Sequence, residues 1–311
     1  MEELKPTNIL KFNPNQMADV RKVFGYGDIG ILKQDIKILE DWINKQNHFI
    51  VRDFGRDYLE RFLIYNKGSV ERAKKHFDRL CTFRNLMPEF LRDFDVRNEF
   101  VDLFKCSQSC VMPTPTPDNY RVVISKMFGN HENVALINYY RYLVVFTEYI
   151  LLHDYCQGSE MIVDTRDILF SMVAKLNPIV VHKAMTLIIE TMGQRVKAIH
   201  FISGSKFLDT VINIIKQGLS EKLRKRIYTH NDFESLHKHI PREILPKDYG
   251  GNGATIKELS EANFKELSTD EHIARLKFLE KAATNEDLRL SCKFNEEYSG
   301  LPGAFKTLCV D

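Results

Sequence analysis

Two groups of residues in this 311-residue chain are placed so that they could do chemistry together, one cationic and one apolar. Arg195 and Lys197 alternate at the head of a β-branched run, so they share one face of a strand. Lys222 and Arg226 stand four apart with Arg224 and Lys225 between them. Just upstream, Phe207, Leu208, Val211, Ile212, Ile214, Ile215 and Leu219 cover well over half the circumference of a helix drawn over 207–223. Gly204 before it and Gly218 near its end would let it hinge. A core helix and a solvated charged face would each read this way alone. Side by side, they are what a membrane-docking surface needs: an apolar face to insert and cations to meet anionic headgroups.

The more familiar reactive patterns are missing. No GxGxxG or GxxxxGK[ST] follows a strand-like run, and no GxSxG elbow is present. His237 and His239 are two apart without a matching carboxylate or cysteine cluster, so their spacing predicts no metal site. Gly250, Gly251 and Gly253 follow a loop, not a buried strand, and read as a turn. The expectation is a non-enzymatic protein without a cofactor. Lys plus Arg (44) nearly balance Asp plus Glu (42), so no overall field favours nucleic acid. The first residues lack a basic and then apolar leader. The most membrane-like stretch, 135–152, contains Arg141 and Glu148, which argues for a buried amphipathic helix and not a span. Cys81, Cys106, Cys110, Cys156, Cys292 and Cys309 form no CxxC pair and read as reduced thiols. A soluble cytoplasmic protein is expected, associating with membranes only transiently.

Stepping of apolar residues shows which elements must carry these groups. Leu32, Ile36, Leu39 and Ile43 make one stripe in a helix over 28–45. Further helices are expected over 56–65 and 70–85, the latter capped by Ser69 after a stop at Gly68. A helical stretch over 90–104 leads to Pro113, Pro115 and Pro117, whose alternation forbids helix. Strand-like runs then fall at 121–125, 161–164, 196–201 and, more weakly, 226–229, with helices over 135–152, 178–192 and 207–223 between them. Strands spaced by helices predict a largely parallel sheet with helical cover. The remainder reads as a polar tail with one helix over 270–282.

In the run Val196 to Phe201 and Ile202, the cationic stretch Glu221 to Ile227, and the closure Leu245-Pro246-Lys247-Asp248-Tyr249-Gly250-Gly251, the sequence resembles the CRAL-TRIO lipid-binding family, in the tocopherol-transfer and clavesin branch. The segment from Gln157 and Gly158 to Asp164, and Tyr58 to Leu63 followed by Val70 to Ala73, are similar to further parts of that family. The resemblance implies an α/β fold, with an N-terminal extension (1–27), a helical module (28–90), a lipid-binding domain (91–255) and a C-terminal tail (256–311). Its sheet would floor an apolar cage closed by a mobile gate helix, 207–223. The cage positions it implies are Tyr140, Leu143, Thr147, Val163, Leu187, Ile188, Met192, Val196, Leu208, Val211, Ile212 and Ile215. Arg195, Lys197, Lys222 and Arg226 would bind phosphoinositide headgroups. A further arginine of that patch falls at Asn66, beside Lys67, and Gly204-Ser205-Lys206 stands where family members commonly have Asn-Glu-Pro.

The implied partners are a small hydrophobic lipid, tocopherol-like or retinoid-like, and a phosphoinositide-bearing membrane. The other implied role is a clavesin-type trafficking adaptor, in which phosphoinositide recognition is the purpose. A lipid of that size hides roughly 400–500 Å² of apolar surface, about 10 kcal/mol, against about 1 kcal/mol for one neutral hydrogen bond. Retention would come from enclosure, and a polar wall residue such as Tyr140 or Thr147 would select.

Overall fold

The computed structural model describes residues 3–92, 94–129, 134–168, 170–173, 177–217 and 221–290. The N-terminal part is helical: α1 (Gln16–Val23), α2 (Ile29–Lys45), α3 (Arg56–Tyr65) and α4 (Val70–Leu86), then the short α5 (Pro88–Leu91), α6 (Val96–Glu99) and α7 (Val101–Phe104). Side-chain caps fix the starts of α2 and α4. Asp28 accepts from Gly30 N at 2.7 Å, and Ser69 accepts from Arg72 N at 3.3 Å. The stripe Leu32, Ile36, Leu39 and Ile43 is the buried face of α2.

The second part alternates strands and helices: β1 (Ser107–Val111), β2 (Tyr120–Phe128), α8 (Ile137–His153), β3 (Gly158–Asp167), α9 (Phe170–Val173), α10 (Pro178–Met185), β4 (Val196–Ile202), α11 (Lys206–Gln217), α12 (Glu221–Arg224), β5 (Ile227–His230) and α13 (Phe233–His237). The five strands lie in sequence order, β1 antiparallel to β2 and the rest parallel. β1 was not anticipated from sequence. The expected 178–192 helix becomes a π-helix after Met185, over Thr186–Thr191, and packs against α4. The expected gate is seen as α11 and α12, with Gly218 outside the described residues.

The polar tail holds two helices where one was expected, α14 (Ile256–Leu267) and α15 (Asp270–Lys281). α14 begins with a capping box in which Thr255 and Glu258 satisfy each other's backbone. It packs on β1 and, with Leu236, Leu245 and Tyr249, covers Val122, Ile124, Ile162 and Ile202 on one face of the sheet. The Leu245–Gly251 closure has a steric cause. A Cβ at Gly251 would collide with Leu245 O, so only glycine lets the chain turn back there. Tyr249, fully buried, donates its hydroxyl to Asp164 at 2.9 Å, which ties the closure to the end of β3.

Beneath the helices, Arg121 and Asp154 form a bidentate pair at 2.6 and 3.0 Å, both side chains wholly inaccessible. Arg121 also donates to the carbonyls of Met112 and Lys11 at 3.0 and 3.1 Å, which ties down the N-terminal extension. Arg84 and Glu148 pair at 3.3 Å between α4 and α8. No helix among the described residues is long and apolar enough to cross a membrane.

Candidate functional site

The face of the sheet opposite α14 floors an apolar cavity of about 190 Å³. Strand periodicity puts Met161, Val163 and Thr165 of β3 and Ile199 and Phe201 of β4 on this face. Leu208 and Ile212, both buried, face it from α11, and α8 supplies Tyr139, Tyr140 and Leu143. Met127, Leu136, Ile168, Met172, Val181, Met185 and Ile227 complete most of the wall. Three methionines on the remaining side make that wall adaptable, because a thioether chain refits around guests of different shape.

Of the expected cage residues, Tyr140, Leu143, Val163, Leu208 and Ile212 line this cavity. Thr147 and Ile188 border a neighbouring void of about 10 Å³, and Thr147 donates its hydroxyl hydrogen to Leu143 O on its own helix at 2.8 Å. Leu187 and Met192 are fully buried in the main core, to which the π-helix turns them against α4. Val196 lies in the cluster with Ile199, Ile212 and Leu223 and borders a different cavity. The side chains of Val211 and Ile215 are outside the described residues.

Polar groups on the apolar wall are few. Thr165 donates to Ile202 O at 2.9 Å, and the Tyr139 hydroxyl lies 3.6 Å from Cys106 Sγ. Tyr140 is half-buried, and burial pushes its phenol up to about 12, so it faces the cavity as a neutral hydroxyl. It is the wall residue best placed to offer a guest one hydrogen bond.

On the other side of Met185 lies a cavity of about 510 Å³ with the opposite character. Lys67, Arg72, Lys75, Arg79, Arg195, Lys222 and Arg226 line it, with His76 and His182, and no carboxylate among the described residues. The Lys67 amine is held below its usual range by burial first, then by Lys222, Arg72, Arg195 and Arg226. The cations therefore repel one another, and the cavity can be relieved by an anion.

Three of the four expected headgroup residues, Arg195, Lys222 and Arg226, meet here. Lys197 does not line this cavity. Its amine is engaged by Glu160 at 2.7 Å and Asp118 at 2.9 Å, although it shares the ring of Tyr120 with Arg195, at 4.7 and 5.4 Å from the centroid. The register shift between β3 and β4 at Ser159 and Glu160 accompanies that diversion. Gly158 lets β3 pass against Arg195, since a Cβ there would meet Arg195 O. Asn66 is fully buried, donates to Phe62 O at 2.8 Å and does not line the cavity, whereas Lys67 does.

Sequence reasoning missed the α4 wall. Arg72, Lys75 and Arg79 sit at i, i+3 and i+7, one visible helical stripe, but which surface they oppose depends on how α4 packs.

Residues 105–251 match the CRAL/TRIO domain, and residues 31–101 match the Pinta-like, UBA domain. The alpha-tocopherol transfer protein-like protein of Mus musculus is 26% identical over 245 residues, covering 73% of this chain and 67% of that protein. Clavesin-2 of Rattus norvegicus is 34% identical over 95 residues, 30% of this chain and 29% of its own. The crystal structure of Sfh5 aligns with a TM-score of 0.41 at 11% identity, covering 86% of this chain and 98% of that one.

Proposed function

We propose that this chain, whose residues 105–251 match the CRAL/TRIO domain, is a non-enzymatic carrier of a small hydrophobic lipid that docks transiently on phosphoinositide-bearing membranes. The alpha-tocopherol transfer protein-like relatives favour a tocopherol-like guest. One observation carries the reading: an apolar cavity roofed by α11 shares Met185 with a cavity lined by seven cations.

The apolar cavity holds about 190 Å³, whereas ligand sites run from about 300 Å³ upward. Loading therefore requires Leu208 and Ile212 to move outward with α11. Docking supplies the occasion. Cations on the α12 side attract the headgroups, and the bilayer receives the apolar face that α11 would otherwise expose to water.

The test is organic extraction of the purified protein followed by mass spectrometry, together with vesicle-to-vesicle transfer of the lipid found. A hydrophobic guest and transfer accelerated by phosphatidylinositol bisphosphate are expected. The size of the closed cavity and the clavesin-2 match favour a second reading, a phosphoinositide-binding trafficking adaptor. Selective vesicle binding without any extractable guest would decide for it.

A further inference from the structure

Three residues other than glycine have a left-handed backbone among the described residues: Asn15, Asn119 and Lys67, with φ of 58°, 60° and 60°. Asparagine tolerates that region because its short polar side chain bonds locally. A lysine has no such compensation, and its strain persists only where the surroundings hold it. Lys67 is held by the turn from α3 to α4. Its N–H donates to Ile64 O and the Gly68 N–H to Leu63 O, each at 2.9 Å, the pair of bonds that ends a helix in a Schellman turn. Glycine is the usual residue at the first position of that pair. Here it stands only at the second, where a Cβ would collide with Phe24 O.

Packing does not call for lysine at 67, since the residue is exposed. Charge opposes it too. Lys67 lines the cationic cavity with Arg72, Arg195, Lys222 and Arg226. Partial burial and then repulsion by Lys222, Arg72, Arg195 and Arg226 hold its amine below the usual range. Both the backbone and the electrostatics of the free protein therefore disfavour this side chain. Strain that the fold itself does not use points to a ligand. An anion in the cavity would turn the mutual repulsion into shared attraction. Lys67 and Arg72 belong to the α3–α4 turn and α4, whereas Arg195, Lys222 and Arg226 belong to the segments around β4 and α12.

Granted the headgroup reading of this cavity, on which the inference rests, we propose that Lys67 is a phosphate ligand and that the headgroup bridges these two groups of cations. A ligand that reaches both needs more than one phosphate. Two phosphate monoesters carry about three to four negative charges at pH 7, and the bridging diester about one more. That balances the five cations that act on one another at Lys67. Phosphatidylserine, with a net charge of about one, would leave most of the repulsion in place. The backbone strain at Lys67 is then the cost of aiming an amine from the α3–α4 turn at a phosphate.

Full-length wild type, Lys67→Gly and Lys67→Ala are compared by thermal unfolding and by co-sedimentation with phosphatidylcholine vesicles carrying phosphatidylinositol bisphosphate or phosphatidylserine. Lys67→Gly should melt about 2 °C above wild type, because glycine takes the left-handed turn without steric cost and the repulsion is gone. It should bind the bisphosphate vesicles about fivefold more weakly. Lys67→Ala keeps the backbone strain, so it should bind as weakly and melt below Lys67→Gly. Soluble inositol trisphosphate should displace wild type from the vesicles; binding that it cannot displace would place recognition in the bilayer surface and overturn the proposal. Wild type that ignores the bisphosphate refutes the headgroup reading, and this inference with it. Full binding by Lys67→Gly refutes the role of Lys67 alone, and so does a Lys67→Gly that melts below wild type, which would make the lysine structural.

Discussion

The cationic cavity makes a prediction whose size follows from its lining. Arg195→Ala, Lys222→Ala and Arg226→Gln together remove three of its seven cations. Each basic residue near an anionic surface contributes about 1 kcal/mol, so the triple variant loses about 3 kcal/mol, or about 100-fold in partition to phosphatidylinositol bisphosphate vesicles. The cost to the fold should be small, because these side chains repel Lys67, which offsets the loss of the Arg226 donation to Val196 O and of the Arg195 contact with the Tyr120 ring. Lys197→Ala provides the contrast. Its amine is already held by Glu160 and Asp118, so its loss should change partition by severalfold at most. Co-sedimentation with and without the phosphoinositide, at two salt concentrations, measures this, with lipid affinity in solution as the control. The wild type should lose affinity more steeply with salt than the triple variant. Unchanged partition in the triple variant, or an equal loss from Lys197→Ala alone, would refute the assignment of this cavity to headgroups.

Three further outcomes follow. Ile212→Trp puts added bulk into the closed apolar cavity and should cut the lipid recovered by extraction about tenfold or more, at a stability cost of about 1–3 kcal/mol; recovery at the wild-type level would place the guest elsewhere. Asp154→Ala leaves Arg121 buried without its partner and should lower unfolding free energy by about 3–5 kcal/mol in urea titration. Finally, burial and then His153 lower the His272 imidazole to about 4 from an ordinary 6.5, so the unfolded chain takes up this proton first as pH falls. The stability it contributes is complete above pH 6.5, declines towards pH 4 and amounts to about 3 kcal/mol at most. His272→Gln should flatten that part of the pH–stability curve, and a curve identical to wild type would discount the group.

What was legible in the sequence was whatever local pattern controls. The stripe of α2, the Ser69 cap and the apolar positions Leu208 and Ile212 depend on residues a few positions apart, and each is found where its spacing puts it. β1 escaped because Ser107, Gln108, Ser109 and Cys110 carry no β-branched signal, and its pairing with β2 rests on backbone bonds. α14 was hidden in a polar tail, although Thr255 and Glu258 spell a capping box that could have revealed it. Site assignments were weaker wherever a partner is distant in sequence. Lys197 has the right charge beside Arg195, but Glu160, a strand away, takes its amine. Leu187 and Met192 have the right polarity, but the π-helix turns them into the core.

The proposed coupling between docking and loading can be argued from the wall that the two cavities share. Leu223 lies next to Lys222, borders the cationic cavity and packs in one cluster with Ile212 of α11. An anion that draws Lys222 and Arg226 towards α4 must therefore move the residue against which the gate rests. Unseating Leu208 and Ile212 into water would cost about 1.5–3 kcal/mol each. Headgroup attraction through three to five cations would supply about 3–5 kcal/mol. The two quantities are of the same order, so on the proposed coupling the gate would stay shut in solution and open where an anionic surface and an apolar phase are met together. A free soluble polyphosphate would supply the first without the second. It should compete for docking and yet fail to release the guest.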